Sequence, residues 1–190
     1  MNATRIAEAH GPLQFPITTE PEIALAGRSN VGKSSLLNAL CGHRPLARVS
    51  NTPGRTRALH FFKTDAGFTL VDFPGYGFAK GPNHHRGEWR TLIEAYLTGR
   101  PQLKAVAVLV DSRHEPSDED RGLFDWLNSL KKDALCVATK IDKLSGNERT
   151  KNLAMLKREL KLNHSPIAFS SVDGMGRMEL VAKMKELARP

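Results

Sequence analysis

The sequence predicts an α/β fold, a three-layer sandwich on a mostly parallel six-stranded sheet with one antiparallel hairpin strand. Three observations lead there. A strand-like run, Glu22 to Ala26, feeds a glycine-rich turn that opens into a helix-like run from Lys33 to about Cys41. Beyond it, short apolar runs alternate with stretches of helical period, the pattern of parallel strands joined by crossover helices. Between the two, Ala58 to Thr64 and Phe68 to Asp72 are β-like runs joined by Asp65-Ala-Gly67, so they pair as a hairpin.

Taken in order, residues 1–21 carry Pro12, Pro16 and Pro21 with little periodicity. They read as an N-terminal leader packed on the domain, with one edge strand near Leu13 to Phe15. Residues 22–190 form a single domain. Gly42 closes the first helix, and 44–57, rich in Ser, Thr, Pro, Gly and Arg, is a loop on the ligand side. Tyr76 to Gly87 is another loop; its His84-His85 pair has no third ligand nearby and reads as solvated. A helix runs from about Glu88 to Leu97. Leu103 to Val110 is apolar almost throughout, as a buried parallel strand is. Ser117-Asp-Glu-Asp120 caps a helix through Lys131 with Leu123, Leu127 and Leu130 inward, its acids balancing the helix dipole rather than forming a catalytic carboxylate pair. Leu135 to Thr139 is the next strand. Ser145-Gly-Asn-Glu148 caps a helix with Leu153, Leu156 and Leu160 inward, Pro166 to Phe169 is the last strand, and Arg177 to Ala188 the last helix.

At 190 residues the chain is the size of one α/β domain with its own core. No apolar run approaches the ~20 residues of a membrane span, and the N-terminal stretch lacks the apolar region of a signal peptide, so a cytoplasmic protein is expected. Cys41 and Cys136 sit in apolar settings, as buried free thiols do. The net charge is +8 and unevenly spread. Arg44, Arg48, Arg55, Arg57 and Lys63 lie in a stretch without acids, and 143–190 holds ten basic residues against five acidic ones. Such clustering suits contact with RNA phosphates, although no RNA-binding module or zinc-ligand spacing accompanies it.

The chemistry centres on Gly27-Arg28-Ser29-Asn30-Val31-Gly32-Lys33-Ser34, which fits G-x-x-x-x-G-K-[ST] with a strand leading in and a helix, beginning with Ser35, leading out. Glycines let consecutive N–H groups converge on one spot, where the helix N-terminus adds roughly half a positive charge. A β-phosphate fits there. Lys33 supplies a cation to the β- and γ-phosphates and Ser34 a hydroxyl to Mg²⁺. Asp72-Phe73-Pro74-Gly75 closes a strand, giving Asp72 to the Mg²⁺ and the Gly75 amide to the γ-phosphate. Thr139-Lys140-Ile141-Asp142 matches [NT]-K-x-D: Asp142 can accept both the N1–H and the N2–H₂ of guanine, donors that adenine lacks. Lys140 would lay its methylenes over the base. Phe169 ends the last strand and Ser170-Ser171-Val172 follow it, where GTPases offer a backbone amide to guanine O6. GTP and GDP are therefore the expected ligands, and a P-loop kinase is a remote alternative.

These motifs, with Asn51-Thr-Pro-Gly54-Arg55-Thr56-Arg57, together resemble the EngB family of bacterial GTPases, also called YihA or YsxC, over nearly the whole chain from Pro21. The resemblance implies a small-GTPase-like P-loop NTPase fold. It makes Thr56 the second Mg²⁺ ligand from the switch I element, with Thr52 the rival by composition alone, and it brings Gly54, Arg55, Arg57 and Ala58 to the nucleotide. Lys33, Thr56 and Gly75 are the implied catalytic set. The resemblance also implies a role in large ribosomal subunit assembly, through rRNA or ribosomal protein, and in normal cell division and septation. A division scaffold with incidental hydrolysis is the alternative. The chain is expected to be a monomer.

Tyr76 stands where Ras-like proteins carry a water-positioning glutamine. A phenol cannot offer both an amide N–H and a carbonyl to water, so slow intrinsic hydrolysis is expected. Help can come from a partner or from K⁺, because related TrmE-like GTPases hold K⁺ with an asparagine at the position of Asn30. Arg55 and Arg57 are candidates to act in cis or to contact RNA.

Overall fold

The computed structural model describes residues 1–41, 58–76 and 84–189, without the side chains of residues 84–89. In the described residues, strands β1 (Ala3–Ala9), β2 (Glu22–Gly27), β3 (Leu59–Thr64), β4 (Thr69–Asp72), β5 (Leu103–Asp111), β6 (Asp133–Thr139) and β7 (Ile167–Ala168) form one sheet. Their order is β1-β3-β4-β2-β5-β6-β7. Pairing is antiparallel at β1/β3 and β3/β4 and parallel from β4 to β7. Helices α1 (Lys33–Leu40) and α5 (Arg177–Leu187) cover one face. Helices α2 (His84–Gly99), α3 (Asp118–Ser129) and α4 (Gly146–Glu159) cover the other.

Alternation along β2 supplies both cores. Ile23 and Leu25 join Leu36, Leu37, Leu180 and Met184 on the α1/α5 side, while Ala24 and Ala26 face the layer of Tyr96, Leu123 and Leu127. A strand buried on both faces cannot alternate apolar with polar, which is why β2 and β5 read as continuous apolar runs. The two capping boxes are present: Asp120 N–H donates to Ser117 Oγ and Glu148 N–H to Ser145 Oγ, and each acid reaches back to its cap residue's N–H.

The structure departs from expectation at two places. The sheet has seven strands, the six expected and a seventh from the leader, at Ala3–Ala9 rather than near Leu13 to Phe15. Pro12–Gln14 is instead a 3₁₀ turn with proline at its start; prolines have no N–H for a strand ladder. The inward positions of β1 are the alanines 3, 7 and 9, too small to give a visible apolar period, and a register shift between Arg5 and Ala7 breaks the alternation. The second departure is that α2 begins at His84, so the His84-His85 pair lies in a helix rather than a loop.

The leader is fastened by a buried charge at the foot of β2. Glu22 is fully buried; Arg100 Nη2 donates to its Oε1 at 2.6 Å and Arg100 Nε to its Oε2 at 3.0 Å, while the Tyr96 hydroxyl donates to Oε2 at 2.7 Å. Arg100 also donates to Pro16 O (2.7 Å) and Thr18 Oγ1 (2.9 Å), tying residues 16–18 to the sheet. Phe15 and Phe73 meet the Tyr96 ring edge-on at 5.6 and 5.4 Å. Glu22→Ala would strand the Arg100 charge and the Tyr96 hydroxyl, and should cost about 3–5 kcal/mol in urea unfolding. Adding Arg100→Met should recover part of that loss; a cost below about 1 kcal/mol would show the clamp to be dispensable.

Candidate functional site

The turn between β2 and α1 is shaped by close approach. A Cβ on Gly27 would lie 2.8 Å from Val31 Cγ1 and 3.1 Å from Leu109 Cβ. Gly32 has φ 107° and ψ 18°, the left-handed region that favours glycine, and caps α1 without a side-chain hydrogen bond. The carbonyls of this turn are taken up by the protein. Gly27 O accepts Tyr76 N–H (3.4 Å), Arg28 O accepts Val31 N–H (3.2 Å) and Gly32 O accepts Leu36 N–H (2.8 Å). Asn30 O accepts Lys140 Nζ (2.9 Å) and Val31 O accepts the Thr139 hydroxyl (2.8 Å). With its oxygens held inward, the turn presents the positive ends of its peptide dipoles and of α1 at its mouth.

Lys33 Nζ lies 2.5 Å from Asp72 Oδ1, and both side chains are largely covered. Ser34 and Ser35 are half-buried in the first turn of α1. Asp72 ends β4 opposite Leu25 of β2. Phe73 and Pro74 are buried, and the Phe73 N–H donates to Leu25 O at 3.0 Å. A Cβ on Gly75 would sit 3.0 Å from Ser29 Oγ and 3.2 Å from its N and Cα, so this strand end lies directly against the turn after β2. Among the described residues no group of three His, Cys, Asp or Glu forms a metal cage. A carboxylate and a neighbouring hydroxyl are instead the hard-oxygen donors that suit Mg²⁺ shared with a substrate's phosphates.

Thr139 ends β6, and its hydroxyl reaches Val31 O (2.8 Å) and Val110 O (3.2 Å). Lys140 follows at φ 60°. Its ammonium donates to Asn30 O and, at 2.8 Å, to Asp111 Oδ2. Ile141 is buried, its N–H directed to Phe169 O at 3.3 Å. Asp142 lies in the 3₁₀ turn Ile141–Lys143 with 13% of its side chain exposed; Lys143 Nζ stands 3.5 Å from its Oδ2. Phe169 and Ser170 are buried, and Ser170 Oγ accepts the N–H groups of Val172 (3.1 Å) and Asp173 (3.4 Å), shaping the turn that leaves Ser171 exposed. A Cβ on Gly176 would fall 1.8 Å from Ala168 O, so only glycine fits where α5 begins. Residues 27–35, 72–75, 139–142 and 169–171 thus gather at the carboxyl ends of β2, β4, β6 and β7, where open α/β sheets bind ligands. Ala58 is buried just before β3; Gly54, Arg55, Thr56, Arg57 and Thr52 lie outside the described residues.

Residues 22–140 match the family described as "50S ribosome-binding GTPase". A relative from Syntrophomonas wolfei, a probable GTP-binding protein EngB, is 45% identical over 92% of this chain and 90% of its own length. One from Clostridium beijerinckii, under the same description, is 48% identical over 88% and 86%. The chain belongs to the EngB family of GTP-binding proteins. As a member it is a GTPase that binds guanine nucleotide. The crystal structure of a probable GTP-binding protein engB superposes with a TM-score of 0.73 at 22% identity over 88% of this chain and 98% of that one, which speaks to the shared fold. Among the described residues no helix is long and apolar enough to cross a membrane.

Two features of this EngB chain went unread in the sequence. The Tyr76 phenol is turned to α3, where its hydroxyl donates to Asp120 Oδ1 at 2.8 Å; burial first, and then the carboxylate, push its pKa far above the usual range. Its backbone stays with the turn after β2, the Tyr76 carbonyl accepting Ser29 N–H at 2.9 Å. Asp120, expected to cap α3 and balance its dipole, is 4% exposed and serves the capping box and this phenol together. The second feature is Asp111, at the end of β5, which receives both Arg113 and Lys140. Its one sequence signal was a carboxylate closing an otherwise apolar strand.

Proposed function

We propose that this EngB-family GTPase is a Mg²⁺-dependent nucleotide switch of the cytoplasm that acts in assembly of the large ribosomal subunit and so supports division and septation. The observation that carries the nucleotide part is the tie between the Thr139–Asp142 loop and the turn after β2. Thr139 and Lys140 each bond a carbonyl of that turn, so the reader of the base and the cradle of the phosphates keep one spacing. The family match and the basic stretches support the ribosomal part.

In this reading the diphosphate lies in the turn from Gly27 to Val31 against the amides of Gly32 to Ser35 at the start of α1, and Lys33 exchanges Asp72 for the β- and γ-phosphate oxygens. Ser34, Asp72 and Thr56 hold Mg²⁺, which when bound neutralises charge on the phosphates. Gly75 offers its N–H to the γ-phosphate, with Phe73 and Pro74 setting its approach, and Gly54, Arg55, Arg57 and Ala58 close over the nucleotide with Thr56. Asp142 takes the two donors of the guanine edge, Lys140 covers the ring, and the Phe169–Ser171 turn supplies an N–H to O6. Tyr76, committed to Asp120, neither orients water nor accepts its proton, so the isolated protein turns over slowly. A partner that inserts a cation would raise the rate roughly 10³- to 10⁵-fold. K⁺ held by Asn30 is the second source of such charge.

Three measurements test this. In a nucleotide panel, Asp142→Asn should lose GDP affinity by on the order of 10³- to 10⁴-fold and gain XDP, because the amide presents a donor where guanine also presents one; wild type that holds ADP as firmly as GDP would overturn the guanine assignment. Co-sedimentation with large ribosomal subunits in moderate salt should be stronger with a GTP analogue than with GDP, and its absence in both states would favour the division scaffold. Turnover should be several-fold faster in K⁺ than in Na⁺; equal rates would remove the role given to Asn30.

A further inference from the structure

We propose that Asp111, clamped by Arg113, is a positioning residue for guanine recognition: it holds the Lys140 ammonium so that the lysine stem lies flat as the platform for the base. This deepens the reading of Lys140–Asp142 as the guanine site and rests on it. A lysine stem has four rotatable bonds and loses rotamer entropy when fixed. Something must hold its head. Asn30 O is one acceptor at 2.9 Å, and a neutral one. Asp111 Oδ2, at 2.8 Å, is the charged one, and charge-assisted hydrogen bonds are about twice as strong as neutral ones.

Asp111 is itself immobilised. Its Oδ1 accepts the Arg113 backbone N–H (3.1 Å) and Nε–H (2.9 Å), and its Oδ2 accepts Arg113 Nη2 (2.8 Å) beside Lys140. Burial works against the charged form, but the bonds from Arg113 and Lys140 outweigh it and hold the carboxyl well below the usual carboxylate range. The anchor is therefore charged at any working pH.

The pair also protects Asp142. Two cations, Lys140 and Arg113, stand near two carboxylates, and Arg113 feels the charge of Asp142 as well as that of Asp111. Asp111 engages both cations at 2.8 Å, and the ion pair of Asp142 is the longer 3.5 Å contact with the exposed Lys143. Guanine then meets a carboxylate with its acceptors available. Without the charge at 111, Lys140 and Arg113 would compete with the base for the oxygens that read it.

A double-mutant cycle tests the assignment. Asp111→Asn, nearly isosteric and still able to accept the Arg113 backbone N–H, should weaken Mg·GDP binding roughly ten- to a hundredfold, the range of a lost charged hydrogen bond. Mg·pyrophosphate, which lacks the base, should bind unchanged by calorimetry. In a Lys140→Met background, Asp111→Asn should add less than about twofold, since the group it positions is gone. An equal loss in both backgrounds, or a parallel loss for pyrophosphate, would make Asp111 merely structural and overturn the proposal while the guanine site stands. If Lys140→Met alone leaves GDP affinity unchanged, the lysine is no platform and the proposal falls, while the reading of Asp142 is decided separately by the comparison of ADP with GDP. Should Asp111→Asn fold poorly, Arg113→Gln keeps the carboxylate but loosens it, and should show a smaller GDP loss that likewise vanishes beside Lys140→Met.

Discussion

The site depends on the turn after β2 having its carbonyls pinned from outside. Peptide groups are rigid planes, so an oxygen held inward leaves its N–H partner group pointing the other way. Gly27, Asn30 and Val31 are held by residues from β4's end and β6's end, and Gly32 by the first turn of α1. Two segments far apart in sequence, together with the helix that follows, thus fix one small loop. The arrangement puts positive dipole ends at the mouth without a preformed side-chain cage, and what completes the charge balance is the anion that arrives.

Tyr76 joins that loop to the second face of the sheet. Its backbone bridges Arg28, and its phenol donates to Asp120, a residue already bound to both the N–H and the hydroxyl of Ser117. One carboxylate therefore caps α3 and receives the segment that follows Gly75. Gly75 is packed so closely against Ser29 that an added Cβ would lie 3.0 Å from its Oγ and 3.2 Å from its N and Cα, and the next residue, Tyr76, is anchored to α3. Any change in the position of Tyr76 is felt by α3 through a hydrogen bond of 2.8 Å. Two residues, Tyr76 and Asp120, thus join the turn after β2 to α3.

How much of this was legible follows from where each signal is stored. The P-loop, Asp72–Gly75 and Thr139–Asp142 stood out as candidates because each fixes residue types at short spacing, and the structure brings all three to the carboxyl ends of the strands. The alternation of strands and helices was readable because β5 and the second half of β6 bury both faces and α3 and α4 carry full capping boxes. β1 was not, because three alanines facing inward give no period, and its partners in β3, from Ala9 with Leu59 to Ala3 with Thr64, are far away in sequence. The Tyr76–Asp120 and Lys140–Asp111 contacts were invisible for the same reason: each joins groups 44 or 29 residues apart, and nothing local in either segment announces the partner.

Strain and stability are kept at opposite ends of the sheet. At the carboxyl ends, Asn30 and Lys140 both have left-handed backbone, at φ 64° and 60°, and each costs roughly 1–2 kcal/mol relative to an ordinary conformation. Neither is a helix C-cap, where such residues are common; both stand on the loops that would touch nucleotide. At the amino end of β2 the Glu22, Arg100 and Tyr96 network is buried and fully bonded, and breaking it should cost more than both strained residues together. A buried ion pair is weak evidence for net stabilisation over an apolar equivalent. Its value here is directional: Arg100 donates at once to Glu22, Thr18 and Pro16, so the leader and the foot of β2 adopt one register, and β2 in turn carries Gly27 to the place where the phosphate loop must start. A substitution at Glu22 should therefore act on global stability, whereas one at Asp111 should act on the ligand, although β2 and β5, the strands that carry them, are neighbours in the sheet.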